Sequence, residues 1–199
     1  MGRMCSQYWN SATTGISAGW IFESRVHQLL RSQQTIQLFP VTLHSSEADD
    51  FIYKGYSRKT PTDLQLPESD EDTLVKGCDF YANRYYRLVS ADFPEVHSLL
   101  LICPPDGSSP LLLIFHITRT AKAHDASEET LRSIDNLDLP KDTRKYYVVV
   151  TPEGVEPEVR VPRSYFGRRG RTKLRDKVLR VFTYPVPFKV LLLGYCDAL

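Results

Sequence analysis

Leu99-Leu100-Leu101-Ile102 and Leu111-Leu112-Leu113-Ile114-Phe115-His116-Ile117 are two apolar runs joined by Cys103-Pro104-Pro105-Asp106-Gly107-Ser108-Ser109-Pro110. The joining segment is rich in proline and carries a glycine, so the runs are expected to pair as an antiparallel hairpin. Their near-continuous apolar character, in place of strict alternation, implies that both faces of the hairpin are covered, which calls for helices on either side of the sheet. By the two-residue repeat of a strand, Leu112, Ile114, His116 and Thr118 share one face, while Leu113, Phe115 and Ile117 share the other.

Downstream, Ser127-Glu128-Glu129-Thr130-Leu131-Arg132-Ser133-Ile134 opens with a capping serine and two acids that suit a helix dipole. A helix is expected there, ending before Pro140. Tyr146-Tyr147-Val148-Val149-Val150 reads as a β-branched strand closed by Thr151-Pro152. A strand, helix, strand passage through residues 111 to 150 demands a parallel crossover, so the sheet is mixed and an α/β sandwich follows. Upstream, Ile21, Phe22, Val26, Leu29 and Leu30 recur with a helical period between Ser17 and Arg31. Asp79 to Val89, with Phe80, Tyr81, Tyr85 and Tyr86, fits an extended or edge-strand stretch. No periodicity decides the segment after Pro40. Residues 60 to 72 carry Pro61, Pro67 and the acidic run Glu68-Ser69-Asp70-Glu71-Asp72, and read as a solvated loop.

At 199 residues, with 42% apolar and 25% charged side chains, the chain is long enough for one core and too short for two domains of ordinary size. Residues 15–199 are expected to form that domain after a flexible stretch over 1–14. A net charge of +1 gives no whole-molecule attraction to a polyanion. Cys5, Cys78, Cys103 and Cys196 form neither a CxxC pair nor a regular framework, which points to a reducing, intracellular compartment, cytoplasmic or nuclear. The longest apolar runs fall far short of the roughly 20 residues of a membrane helix, and no apolar signal-peptide core is present. Met1-Gly2-Arg3-Met4-Cys5-Ser6 fits the short N-myristoylation pattern at Gly2, with Cys5 placed for a second acyl chain.

A few polar side chains stand inside this apolar frame. His97 begins the first hairpin strand, His116 and Thr118 point the same way from the second, and Glu23 lies beside Ile21 and Phe22 on the first helix. Taken singly, a strand-end histidine is most often a hydrogen-bonded structural residue and a helix glutamate most often faces water. Taken together, the blocks that hold them resemble a family. Gly19-Trp20-Ile21-Phe22-Glu23-Ser24-Arg25-Val26-His27-Gln28-Leu29-Leu30 looks like the G-x-x-F-E-x-x-x-H-x-L-L helix of fungal Crinkler and retrotransposon-hot-spot-type proteins. Phe93-Pro94-Glu95-Val96-His97-Ser98-Leu99-Leu100-Leu101 is similar to their F-P-x-x-D-S-x-L-L block. Leu113 to Thr118, with His124, is similar to the block that follows, and Tyr146 to Gly154 to their last core strand. The blocks span about residues 15 to 166.

The resemblance implies a PD-(D/E)XK, or restriction-endonuclease-like, fold: a three-layer α/β sandwich with a central mixed sheet flanked by helices. In active members a helix glutamate, a hairpin aspartate and an E-x-K or Q-x-K hold Mg²⁺ or Mn²⁺ and orient the attacking water. Hard divalent ions want carboxylate oxygens and lower the pKa of bound water, and a lysine offsets charge developing on the phosphate. Here the aspartate position holds His97, the second acid or amide position His116 and the lysine position Thr118, so only Glu23 remains. Asp92 and Lys122 are the nearby substitutes, and Glu23 with His97 and His116 is the ligand set for a softer ion such as Zn²⁺ or Mn²⁺. No resident cofactor is therefore expected.

Between Arg160 and Arg180 lie nine basic residues and the single acid Asp176, a local charge of +8. Arg163, Arg168, Arg169, Arg171, Lys173 and Arg175, with Tyr165 and Phe166 among them, can neutralise phosphates and stack on a base, giving salt-sensitive contact with DNA or RNA. The same run also reads as a solvated face or a nuclear import signal. The leading expectation is a nuclease-like domain that binds nucleic acid or protein without standard metal-dependent cleavage. The alternatives are an active, atypical metal-dependent nuclease and a membrane-tethered effector or adaptor.

Overall fold

The computed structural model describes residues 12–32, 35–46, 50–56, 60–74, 79–88, 93, 95–120, 124–166 and 179–187. Among these, the chain is mixed α/β, with two helices and one curled, half-barrel-like mixed sheet. Helix α1 spans Ala12–Arg31, and β1 (Thr35–Ser46), β2 (Asp50–Tyr56), β3 (Thr62–Gln65) and β4 (Glu71–Leu74) follow. Then come β5 (Tyr85–Leu88), β6 (Ser98–Ile102), β7 (Leu111–Ile117), the short β8 (His124–Asp125) and helix α2 (Glu128–Asp135). Strands β9 (Arg144–Pro152) and β10 (Glu158–Pro162), a 3-10 turn (Arg163–Phe166) and β11 (Leu179–Val186) complete the order.

The hairpin forms as its sequence dictates. Strands β6 and β7 pair antiparallel with Leu100 opposite Leu113, and Gly107 takes φ +74° in the connection, where an L side chain would be strained. Seven consecutive residues of β7 are buried. Their alternation splits the core: Leu113, Phe115 and Ile117 join Phe22, Val26 and Leu30 of α1, whereas Leu112 and Ile114 join Leu131 and Ile134 of α2. The Ser127 side chain accepts from the Thr130 amide and caps α2, and the crossover brings β9 parallel to β7, with Phe115 opposite Val148. The sheet runs β4-β5-β6-β7-β9-β11-β1-β2-β10-β8, with β3 also on β1.

Curling originates in β1. Its first residues pair with β3, Phe39 and Pro40 with β11, and Val41 onward with β2, with register breaks between Val41 and Leu43 and between Leu43 and Ser45. Bulges of this kind bend a strand and increase its twist. The segment after Pro40 is thus a continuation of β1, with Pro40, which has no amide hydrogen to give, at the point where partners change. Residues 60–72, which composition assigns to a solvated loop, instead contain β3 and the start of β4. Their side chains are mostly exposed, so the hydrophilic sequence reports the environment correctly, but main-chain pairing with β1 and β5 makes them strands regardless. Tyr85 to Leu88 lies one strand inside the edge, because β4 covers it. Helix α1 begins at Ala12, ahead of Ser17 and within the 1–14 stretch expected to be flexible; residues 1–11, with Gly2 and Cys5, lie outside the described residues.

Leu113 is fully buried, so Leu113→Ala should lower stability by about 2–5 kcal/mol, whereas Leu43→Ala, at an exposed position, should stay within about 0.5 kcal/mol. Urea denaturation midpoints of the two variants check this.

Candidate functional site

Glu23 lies on the stripe of α1 that meets β5. Along that stripe Phe22, Val26 and Leu30 dive into the core, His27 is buried beside them, and Glu23, one turn earlier, stands at the rim. On β5, Tyr85 and Arg87 share a face by the strand repeat. Tyr85 meets His27 and Arg87 meets Glu23, so a step of two residues forward on β5 matches one turn backward on α1, and the two elements run antiparallel here.

A hydrogen-bonded chain fixes this contact. His27 Nε2 donates to Glu23 Oε1 at 3.4 Å, His27 Nδ1 shares a 2.5 Å hydrogen bond with the Tyr85 hydroxyl, and that hydroxyl lies 2.7 Å from Ser98 Oγ. His27, Tyr85 and Ser98 are buried, while the Glu23 side chain is 32% exposed. The polar path therefore runs from β6, through β5, to solvent at α1. The hydrogen bond from His27 holds the Glu23 carboxyl below its ordinary pKa, the charges of His97, His27 and Arg87 add to this, and partial burial opposes it. Burial drives the Tyr85 hydroxyl far above the usual phenol range, so it stays protonated.

Beside Glu23 the row of charge continues. Arg87 Nη2 is 3.7 Å from Glu23 Oε1, Arg87 Nη1 is 3.8 Å from Glu71 Oε1, and Arg31 Nη1 donates to Glu71 Oε2 at 2.8 Å. Arg31, Glu71 and Arg87 help to line an open cleft of about 750 Å³, together with His27, Glu68 and Asp70.

The two hairpin histidines meet: the His97 and His116 rings are 5.3 Å apart, edge to face. His97 precedes β6 and is tied to β7 twice, since its amide donates to the Phe115 carbonyl at 2.9 Å and its Nδ1 accepts the Ile117 amide at 3.2 Å. In the neutral ring the proton therefore sits on Nε2, which then has no lone pair for a metal. His116 is buried, with Nδ1 donating to the Glu95 carbonyl. Glu95 adopts φ +68°, a left-handed conformation costing roughly 1–2 kcal/mol, and its carbonyl satisfies the buried imidazole. Its own carboxyl is pushed up by burial and by the charge of Asp125. Thr118 lies just past β7, where its amide donates to Val150 and its Oγ1 accepts the Thr120 amide at 3.3 Å.

Of the expected site residues, Glu23, His97, His116 and Thr118 thus lie on α1 and along the hairpin. The metal that the resemblance implies does not fit them. Mg²⁺ or Mn²⁺ needs several oxygens, whereas these four positions offer one already engaged carboxylate, two imidazoles and a threonine hydroxyl. Among the described residues no three His, Cys, Asp or Glu side chains are grouped to hold one ion. Asp92 and Lys122 lie outside the described residues, as do Arg168, Arg169, Arg171, Lys173 and Arg175; the side chain of His124 is likewise outside them. Arg163 is described, and its guanidinium lies 5.1 Å over the Phe51 ring. Arg160 Nε approaches Asp125 Oδ1 at 3.9 Å.

Sequence reasoning passed over His27, Tyr85, Arg87 and Glu71. His27 carried a legible signal, its four-residue spacing from Glu23, and Arg87 another, its two-residue spacing from Tyr85. Glu71 carried none, because nothing local shows that an acidic run pairs with β5.

Tyr85→Phe removes the hydroxyl between His27 and Ser98 and leaves two buried groups short of a partner, which should cost about 1–3 kcal/mol in urea denaturation. A pH series tests the carboxyl. Because the folded-state pKa of Glu23 is lowered, its contribution is complete above the ordinary carboxyl value and is lost as pH falls through the lowered one. Glu23→Gln should therefore be less stable than the wild type near pH 7 and converge on it as the pH falls below the ordinary carboxyl value, so that its own acid profile is the flatter of the two. Among the described residues no helix is long and apolar enough to cross a membrane. Comparison with protein-family models, with curated proteins and with solved structures finds no match to this chain.

Proposed function

We propose that the chain is a nuclease-like domain of the PD-(D/E)XK type whose centre no longer supports standard metal-dependent cleavage, and that it acts as a nucleic-acid- or protein-binding module. The three-layer, restriction-endonuclease-like sandwich is part of this reading, with the curled sheet as its central layer. One observation carries it: a glutamate on the first helix is linked through His27 and Tyr85 to Ser98 of a hairpin whose two histidines occupy the positions where an acid and a second acid or amide are expected. The order of helix, antiparallel hairpin, crossover helix and parallel strand supports it. The donor chemistry supports loss of cleavage, because imidazoles tied to carbonyl and amide groups do not replace carboxylates around a hard ion.

DNA or RNA would be held through residues 160–180, as phosphates by Arg163, Arg168, Arg169, Arg171, Lys173 and Arg175, in an intracellular setting, cytoplasmic or nuclear. Gel shifts across a salt series test this. Binding should weaken with salt, and the triple change Arg168→Ala, Arg169→Ala and Arg171→Ala should reduce the slope of log K against log salt by about 2 to 3. Incubation with plasmid DNA or RNA and Mg²⁺ or Mn²⁺ should leave the substrate intact. Cleavage that Glu23→Ala abolishes would establish the atypical nuclease instead. A salt slope untouched by the triple change would remove the basic segment from the interface.

A further inference from the structure

We infer that Arg87 is the built-in counter-cation of the cleft: its guanidinium stands between the Glu23 and Glu71 carboxylates and supplies the positive charge that a divalent ion supplies where such carboxylates gather for metal chemistry. The inference rests on the reading above in taking the Glu23 edge as the counterpart of a metal centre, and it gives a reason why this edge needs no metal.

The geometry is that of a bridging cation. One terminal nitrogen of Arg87 faces Glu23 of α1 at 3.7 Å and the other faces Glu71 of β4 at 3.8 Å, so a single planar group addresses carboxylates from two elements. Arg31 holds the far oxygen of Glu71 at 2.8 Å and His27 holds Glu23, so charge alternates along the rim from Arg31 through Glu71 and Arg87 to Glu23. A guanidinium remains charged at every physiological pH, so this compensation is permanent, unlike that of an exchangeable ion. A divalent ion approaching Glu23 would meet the fixed positive charge of Arg87 at contact range. The side chain of Arg87 is 49% exposed, and such half-solvated pairs add little to folding stability. Its role is therefore electrostatic, and its removal opens no buried cavity.

The test is metal binding by variants of the whole chain, with Mn²⁺ as the probe. Thermal unfolding with and without Mn²⁺ is compared for the wild type, Arg87→Ala, Arg87→Lys and the double variant Glu23→Gln with Arg87→Ala. The wild type and Arg87→Lys should melt at the same temperature with and without the ion. Arg87→Ala should gain about 3 °C at a Mn²⁺ concentration about ten times its dissociation constant, and the double variant should lose that gain. Arg87→Gln provides a second charge-free variant if the alanine protein folds poorly, and loss of the free-Mn²⁺ paramagnetic signal gives the same comparison without unfolding. A Mn²⁺ response of equal size in the wild type, none in either charge-free variant, or one that survives Glu23→Gln would each overturn the inference. Salt-dependent binding of nucleic acid by the wild type, read separately, decides the nuclease-like reading whatever Mn²⁺ does.

Discussion

The burial of β7 on both faces is the constraint from which the rest of the molecule follows. A strand whose seven residues all avoid water must be covered by two separate layers, because alternate side chains leave it in opposite directions. One face joins a core cluster that includes Phe22, Val26 and Leu30 of α1, and the other a cluster that includes Leu131 and Ile134 of α2. Neighbouring strands must also pair on both edges, which β6 and β9 do. The imidazole carried near the end of this strand, His116, consequently sits where main chain must satisfy it, and the Glu95 carbonyl does so.

Docking of α1 on this frame places chemistry at its rim. Apolar contacts alone would fix how far the helix lies from the sheet, but the path through His27, Tyr85 and Ser98 also fixes its rotation and its register along β5. A helix turned by one residue would bury Glu23 and expose Phe22. The carboxylate and the guanidinium of Arg87 are therefore brought together by the same packing that closes the core, with no loop required to hold them.

The sequence makes some of this legible and hides the rest for identifiable reasons. The hairpin, the α2 crossover and the β9 strand announce themselves through long apolar runs, a capping serine and β-branched residues, all local signals. Glu23, His97 and His116 are singled out because polar groups in apolar surroundings need explanation. By contrast, β3 and β4 are held by main-chain pairing that composition does not encode, and the passage of β1 through Pro40 depends on three partner strands, one of which, β11, is distant in the chain. The same limit explains Glu71: its partners, Arg31 and Arg87, come from elements that only the folded topology brings beside it. The roles of the histidines also turn on which ring nitrogen faces an amide and which a carbonyl, a detail fixed by tertiary geometry.

The pairing of Phe39 with Thr183 has a consequence for how the molecule is made. Strand β1 precedes every other described strand in synthesis but has its place between β2 and β11, and β11 is the last of the described strands. The Phe39–Pro40 edge of β1 therefore waits for its partner until strands β2 to β10 have left the ribosome. Closing so long a loop is entropically slow and favours late completion of the sheet. The proline at position 40 lies in that waiting edge, and with no amide to offer it blunts the segment as a template for stray strands from neighbouring nascent chains.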